Sequence, residues 1–135
     1  MDPVLRTGST KLVCSLLGIT HVDQIPLHPQ KGSLFENFAI NELVKERSNH
    51  NDPHNLYFWR DSTGNEIDIV IDKGTSLYPI EIKSGKTVTS DYFKNFDFWN
   101  KITGTTEGTV IYGGDQIQKR SNGITILPWN DINTL

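Results

Sequence analysis

Two neighbouring runs of residues decide the fold: Glu66-Ile-Asp-Ile-Val-Ile-Asp72 and Tyr78-Pro-Ile-Glu-Ile-Lys83, joined through Lys73-Gly74-Thr75. In both runs apolar residues alternate with polar or charged ones, which is the period of a strand with one face in a core. The glycine in the short connection favours a turn. The pattern therefore predicts two strands of one hairpin, Glu66–Asp72 and Tyr78–Lys83.

The same alternation predicts where the charged side chains of the hairpin point. Successive residues of a strand face opposite sides of the sheet. If the isoleucines of both strands face the core, the charged residues of both strands emerge together on the other side. The isoleucine set is Ile67, Ile69, Ile71, Ile80 and Ile82, and the charged set is Asp68, Glu81 and Lys83.

Two carboxylates beside one ammonium group suit the hydrolysis of a phosphodiester with the help of a metal ion. Carboxylate oxygens are hard ligands that hold Mg²⁺ and leave positions for water and phosphate oxygens. A bound ion acidifies water and neutralises charge on the phosphate, and a lysine can orient that water. The alternative is a solvated strand face, which an isolated Asp and a Glu-x-Lys at this loose spacing often form by chance.

Glu36 is a fourth candidate for the same site. It lies at helical spacing from Ile40 and Leu43, so its side chain is expected to face inward, where a carboxylate needs a partner. Ser33-Leu-Phe-Glu36 also fits a capping box, in which Glu36 would bond to the start of its own helix. The pattern alone leaves the site role and the cap role open.

Outward from the hairpin, the remaining pattern is that of a single α/β domain. Leu56–Arg60, Thr109–Tyr112 and Ile124–Leu127 are predicted strands. Helices are predicted around Thr10–Leu17, from Ser33 and from near Ser90. The last of these helices is expected to turn five apolar residues towards the core: Tyr92, Phe93, Phe96, Trp99 and Ile102.

Composition narrows the classes of protein that fit. The chain has 135 residues, enough for one ordinary core. No run of about 20 apolar residues and no signal-peptide pattern is present, which predicts no membrane association. A single cysteine, Cys14, excludes an internal disulfide and indicates a cytoplasmic protein. The formal net charge of −3 gives no independent support for binding to nucleic acid.

Four motifs, taken in order, resemble a known family. They are Gly32-Ser-Leu-Phe-Glu-Asn-Phe38, Tyr57-Phe-Trp-Arg-Asp61, Asn65-Glu-Ile-Asp-Ile-Val-Ile71 and Pro79-Ile-Glu-Ile-Lys-Ser-Gly85. The chain resembles the domain of unknown function at the C-terminal end of many prokaryotic AAA-type ATPases, which is similar to the PD-(D/E)XK nuclease superfamily. The resemblance covers about Leu12 to Trp129. We therefore expect residues 12–135 to be the nuclease-like domain and leave residues 1–11 unassigned.

The resemblance implies a restriction-endonuclease-like core, with a central mixed sheet flanked by helices. It assigns the helix acid to Glu36, the metal-binding aspartate to Asp68 and the Glu-x-Lys pair to Glu81 and Lys83. It adds the peptide carbonyl of Ile82 as a metal ligand, with Mg²⁺ or Mn²⁺ as the ion. It also implies an upstream ATPase domain in a longer protein. Ser9-Thr10-Lys11-Leu12 departs from the Asp-x-Gly-Leu that members commonly carry there.

Two functions from different classes fit these residues. The first is a Mg²⁺- or Mn²⁺-dependent nuclease-like domain that acts on DNA. The second is a non-catalytic module that recognises nucleic acid or protein for the ATPase, which the acidic balance of the chain favours. A solitary toxin or defence nuclease fits less well, because the resemblance implies a longer protein.

Overall fold

One mixed β-sheet organises the chain. The computed structural model describes residues 1–3, 18, 20–21, 24, 27–51 and 55–135. Within these residues seven strands form the sheet in the order β1-β2-β3-β4-β5-β7-β6. The strands are β1 (Asp2–Pro3), β2 (Leu56–Arg60), β3 (Glu66–Asp72), β4 (Leu77–Lys83), β5 (Gly108–Tyr112), β6 (Gln118–Lys119) and β7 (Ile124–Pro128).

The sheet is antiparallel on one side and parallel in the middle. β1 to β4 pair antiparallel in sequence order, β5 lies parallel to β4, and β7 lies parallel to β5. The short strand β6 pairs antiparallel with β7 at the edge. The α/β class and the central mixed sheet flanked by helices are thus confirmed.

Helices cover both faces of the sheet. Helix α1 (Lys31–Asn49) buries Ala39 and Leu43 against isoleucines of β3, β4 and β5 on one face. Helix α2 (Lys94–Thr103) follows a 3₁₀ turn (Ser90–Phe93) and buries Phe96 and Trp99 on the other face. Because α2 connects β4 to the parallel strand β5, it is the crossover helix that parallel pairing requires. A final 3₁₀ turn (Trp129–Thr134) packs on α1.

The predicted strands agree with the structure to within one residue at each end, whereas the predicted helices need correction. Helix α1 begins at Lys31, so Ser33 lies inside its first turn, and no side chain caps it. The capping-box interpretation of Ser33 and Glu36 is therefore wrong. The prediction of Ile102 as a core residue is wrong, because Ile102 is 54% exposed in the last turn of α2, which ends at Thr103.

One predicted helix cannot be compared with the structure, and two short strands were not predicted. The helix predicted around Thr10–Leu17 lies outside the described residues. The two-residue strands β1 and β6 carry too little pattern to be predicted. Among the helices of the described ranges, none is long and apolar enough to cross a membrane.

Asp61 organises the turn that delivers β3. Its Oδ1 accepts hydrogen bonds from the amides of Thr63 and Asn65, and its Oδ2 accepts one from the Asn65 side chain. These bonds, with that from Asn65 first, lower the pKa of Asp61 to about 2. Gly64 takes the left-handed backbone (φ 93°) that the turn needs. Two residues of the quoted motifs, Asp61 and Asn65, thus have a structural role.

Candidate functional site

An irregularity in β3 sets the direction of Asp68. Tyr57 of β2 pairs with Val70 of β3, but Trp59 pairs with Ile67. Phe58 alone therefore lies opposite both Asp68 and Ile69, which is the two-against-one count of a β-bulge. A bulge bends its strand and changes the direction of the side chains that it carries.

The bulge corrects the predicted alternation of β3. Ile67 packs with Val70 and with Trp99 of α2, whereas Ile69 and Ile71 pack on the α1 face. The prediction that Ile67, Ile69 and Ile71 share one face is thus wrong at Ile67. The faces exchange between Ile67 and Ile69, at the position of Asp68.

From Asp68 towards the end of β4, hydrogen bonds to side-chain carboxylates replace the main-chain pairing between β3 and β4. The regular register runs from Asp72 opposite Leu77 to Ile69 opposite Ile80. Past it, the amide of Ile82 donates to Oδ2 of Asp68 at 2.7 Å. The amide of Asp68 donates to Oε1 of Glu81 at 3.3 Å. Each carboxylate is thus held by the backbone of the opposite strand, and the two acids lie side by side.

We call Asp68, Glu81, Lys83 and Asn95 the acidic cluster. Glu81 is its most buried acid, with 0% of its surface exposed. Its Oε2 accepts a hydrogen bond and ion pair from Nζ of Lys83 at 3.0 Å. The same oxygen accepts a bond from Nδ2 of Asn95, at the start of α2, at 3.1 Å. Since every buried charge needs partners, these contacts fix the Glu81 carboxylate in one orientation.

The cluster carries more negative than positive charge, and the pKa values reflect this. Burial, followed by repulsion from Glu81, raises the pKa of Asp68 to about 7. Burial also raises the pKa of Glu81, although Lys83 opposes this effect. Burial alone would lower the pKa of Lys83, but the carboxylates of Glu81, Asp68 and Glu36 raise it above the ordinary value. Two acids that resist ionisation side by side are suited to a further cation.

Glu36 faces this cluster from α1 without joining its hydrogen bonds. Burial raises its pKa first, and then the negative charges of Asp68 and Glu66 raise it further. Lys83 lowers it, so Glu36 lies within electrostatic reach of the cluster. Of the two roles predicted for Glu36, the helix cap is excluded. The role in the site stays a prediction. Glu66 stands beside it as a further acid.

The close packing of the segment after β4 positions Lys83. A side chain at Gly85 would collide with the hydroxyl of Tyr92, and one at Gly113 would collide with the carbonyl oxygen of Ser84. The amide of Gly113 donates to the carbonyl of Gly85 at 3.0 Å. The glycines thus let the ends of β4 and β5 approach closely.

Asn95 is the member of the cluster that sequence reasoning missed. It lies four residues before Trp99 and three after Tyr92, both of which are buried. A polar residue on the buried side of a helix needs a hydrogen-bonding partner. The position of Asn95 between buried residues of α2 could therefore have pointed to the site. The alternation of the hairpin identified the other members but gave no information about α2.

The donor set fits Mg²⁺ or Mn²⁺ with two protein carboxylates. In the described ranges, no three side chains of His, Cys, Asp or Glu converge closely enough to hold an ion together. Asp68 and Glu81 are thus a pair, with Glu36 set apart from them. Mg²⁺ in proteins commonly takes one or two carboxylates and completes its shell with water and substrate phosphate. A pair of hard oxygen donors in an acid-rich cluster meets that requirement.

The exposed end of α1 and two surface grooves lie apart from the acidic cluster. His50 is exposed at the end of α1 and lies near Glu46. Two surface grooves in the described part of the chain are lined by other residues than those of the acidic cluster.

Comparison with known proteins gives one family. A family model described as a domain of unknown function (DUF4143) matches residues 31–132. Neither a curated protein nor a solved structure matches the chain. The matched range contains α1, the β3–β4 hairpin and α2, and so includes the whole acidic cluster.

Proposed function

The chain belongs to the DUF4143 family, and we propose that it is a nuclease-like domain that hydrolyses phosphodiester bonds of DNA at its acidic cluster. The observation that carries this proposal is the pair of fully buried Glu81 and half-buried Asp68, held side by side with Lys83 at 3.0 Å from Glu81. A solvated strand face would leave these side chains in water. Here Glu81 is fully withdrawn from water and Asp68 partly so. Asp68 also lies at a bulge, a feature that is frequent beside active sites.

Each residue has a distinct part in this proposal. The carboxylates of Asp68 and Glu81, with the carbonyl of Ile82, would hold Mg²⁺ or Mn²⁺. When bound, such an ion supplies Lewis acidity and lowers the pKa of a coordinated water. Lys83 presents an ammonium group that orients the attacking water and stabilises charge on the phosphate. Asn95 holds Glu81 in place.

The reaction balances without any other reactant. Water adds through its oxygen to phosphorus, the bond from phosphorus to one ester oxygen breaks, and the leaving oxygen takes up a proton. Glu36, which lies within electrostatic reach of Asp68 and Lys83, would support the metal or a second ion. The resemblance to PD-(D/E)XK nucleases, and an ATPase domain upstream in a longer protein, belong to the same proposal.

A cleavage assay tests the proposal. The purified domain is incubated with Mn²⁺ and single-stranded, duplex or branched DNA, beside Asp68→Ala. Asp115→Asn, which removes an exposed carboxylate elsewhere, is the control. We expect wild type and control to cut at least one substrate, and Asp68→Ala to be slower by at least roughly 100-fold. No cutting above buffer by wild type on any substrate excludes catalysis by the isolated domain.

A second function has an observation in its favour. The formal net charge of −3 suits a non-catalytic module that recognises a partner, nucleic acid or protein, better than it suits a clamp for long DNA. Such a module has no need of a metal ion at Asp68. Metal binding by the wild-type domain therefore separates the two functions even where no cleavage is seen.

A further inference from the structure

A groove lies between α1 and the last 3₁₀ turn, on a different side of α1 from the acidic cluster. It has a volume of about 330 Å³, and it is lined by Phe38, Glu42, Glu46, Trp129, Asn130, Ile132 and Asn133. Phe38 follows Glu36 by two residues, a spacing that places side chains on nearly opposite sides of a helix. The residues of this groove therefore do not belong to the proposed nuclease site.

An exposed tryptophan forms the apolar wall of the groove. Trp129 is 43% exposed, and its ring meets the ring of Phe38 edge to face, with centroids 5.7 Å apart. The ring is therefore held in place while much of it faces water. Tryptophan is the aromatic side chain that attracts cations most strongly and is among those that contribute most to protein interfaces.

Two acids of α1, Glu42 and Glu46, add negative charge to the lining of the groove. Phe38, Glu42 and Glu46 follow one another at four-residue spacing, so they line one stripe of α1. Glu42 pairs with Lys45 at 2.8 Å, and Glu46 lies 3.7 Å from His50. Lys45 and His50 are more than half exposed. Such surface pairs contribute little stability, so an incoming cation can replace Lys45 or His50.

The other charged groups near the groove leave its character acidic. Asp131 adds a third carboxylate on the 3₁₀ turn. Arg47 lies on the neighbouring stripe of α1, and its Nη2 donates to the carbonyl of Leu135 at 3.5 Å. A groove with a tryptophan face and two carboxylates attracts a planar cation and repels phosphate. Its volume is at the lower end of the range for small-molecule sites.

We propose that this groove binds an arginine side chain presented by a protein partner. The guanidinium group lies on the face of Trp129 and donates to Glu42 and Glu46, while Asn130 and Asn133 contact the backbone of the partner. Arginine fits better than lysine because its planar group stacks on an aromatic ring and donates to two acceptors at once.

The probe is the peptide acetyl-Gly-Arg-Gly-amide, titrated into the ¹⁵N-labelled chain and followed by NMR. The matched peptides carry lysine or the neutral isostere citrulline in place of arginine. We expect saturable shifts of the Trp129 indole and of the Glu42, Glu46 and Ile132 amides with the arginine peptide. Lysine is expected to bind more weakly, and citrulline to leave these resonances almost unchanged.

Two variants and one control locate the site. Glu42→Gln/Glu46→Gln is expected to weaken binding roughly tenfold, and Trp129→Ala to abolish it. Glu107→Gln, which removes an exposed carboxylate elsewhere, should bind as wild type does. Unchanged resonances of buried core residues show that each variant is folded.

Three outcomes overturn the proposal. They are equal binding of the citrulline peptide, an equal loss of binding in Glu107→Gln, and shifts of the groove resonances with protein concentration alone. The last would identify a second copy of the chain as the occupant.

Discussion

At the scale of single residues, Asp68 stands at the centre of the account. Its amide donates to Glu81 and its carboxylate accepts from the amide of Ile82. A neutral side chain of the same shape could keep these contacts, but it would carry no charge for a cation. Substitutions at Asp68 can therefore separate the structural contribution of the side chain from its charge.

Without metal, the domain is predicted to lose stability as pH rises through the titration of Asp68. Its pKa lies at about 7 in the folded state, against an ordinary value of 3.8. Between these values the folded chain binds more protons than the unfolded chain, so the free energy of unfolding falls with pH. The slope is at most about 1.4 kcal/mol per pH unit for one proton. The stabilisation is complete below pH 3.8 and lost above 7.

Urea denaturation with a chelator, at pH 5 and at pH 8, measures this effect. Asp68→Asn, which is neutral at both values, is expected to reduce the difference between them. Asp115→Asn is expected to retain it. An unfolding free energy for wild type that rises from pH 5 to pH 8 would contradict the assignment.

Lys83→Met is predicted to separate catalysis from metal binding. Removal of the ammonium group takes away the group that orients the attacking water, so cleavage should fall by about 10²–10⁴-fold. Metal affinity should be unchanged or higher, because a positive charge beside Glu81 is lost. Lys86→Met, at an exposed position three residues on, is the control for both assays. A parallel fall in metal affinity and cleavage would instead make Lys83 a structural support.

At the scale of elements, the segment that follows β4 determines where Lys83 sits. Gly85 is not in the left-handed region, so its need for glycine comes from the Tyr92 hydroxyl and not from the backbone. Gly85→Ala is thus predicted to destabilise the fold by about 1–3 kcal/mol. In Tyr92→Phe the colliding oxygen is gone, and the nearest remaining atom of the ring would lie at 3.7 Å.

A double-mutant cycle tests this contact. The double variant Gly85→Ala/Tyr92→Phe should recover most of the stability lost in Gly85→Ala, as measured by thermal or urea unfolding. Gly74→Ala serves as a contrast, since it strains a positive φ in open space and Tyr92→Phe should not rescue it. Additive effects of Gly85→Ala and Tyr92→Phe would show that the two residues do not meet.

The hairpin shows what alternation can and cannot predict. Polar and apolar periodicity predicted the bounds of β3 and β4 to within one residue, because most side chains of these two strands are buried. The bulge at Asp68 depends on how β2 pairs with β3, which no single run of residues specifies. Ile67 was misplaced for that reason, and Asn95 was missed because it reaches the site from another element. The convergence of Asp68, Glu81 and Lys83 nevertheless followed from the hairpin alone.

At the scale of the whole molecule, the domain carries negative charge at two separate places. One is the acidic cluster, between the β3 bulge and the end of β4, which suits a divalent cation. The other is the groove between α1 and the last 3₁₀ turn, lined by Trp129, Glu42 and Glu46, which suits a cationic side chain. The overall charge of −3 hides this division, because a sum over the chain carries no information about position. A domain with both surfaces could act on one partner while it is held by another.

A calorimetric titration of Mn²⁺ into the metal-free domain tests the central claim most directly. Wild type and Asp115→Asn are predicted to bind Mn²⁺ with the same affinity, and Asp68→Asn to bind at least roughly 100-fold more weakly. Circular dichroism of each variant confirms that it is folded. Equal binding of Mn²⁺ by wild type and Asp68→Asn, or no binding by wild type, would contradict the account.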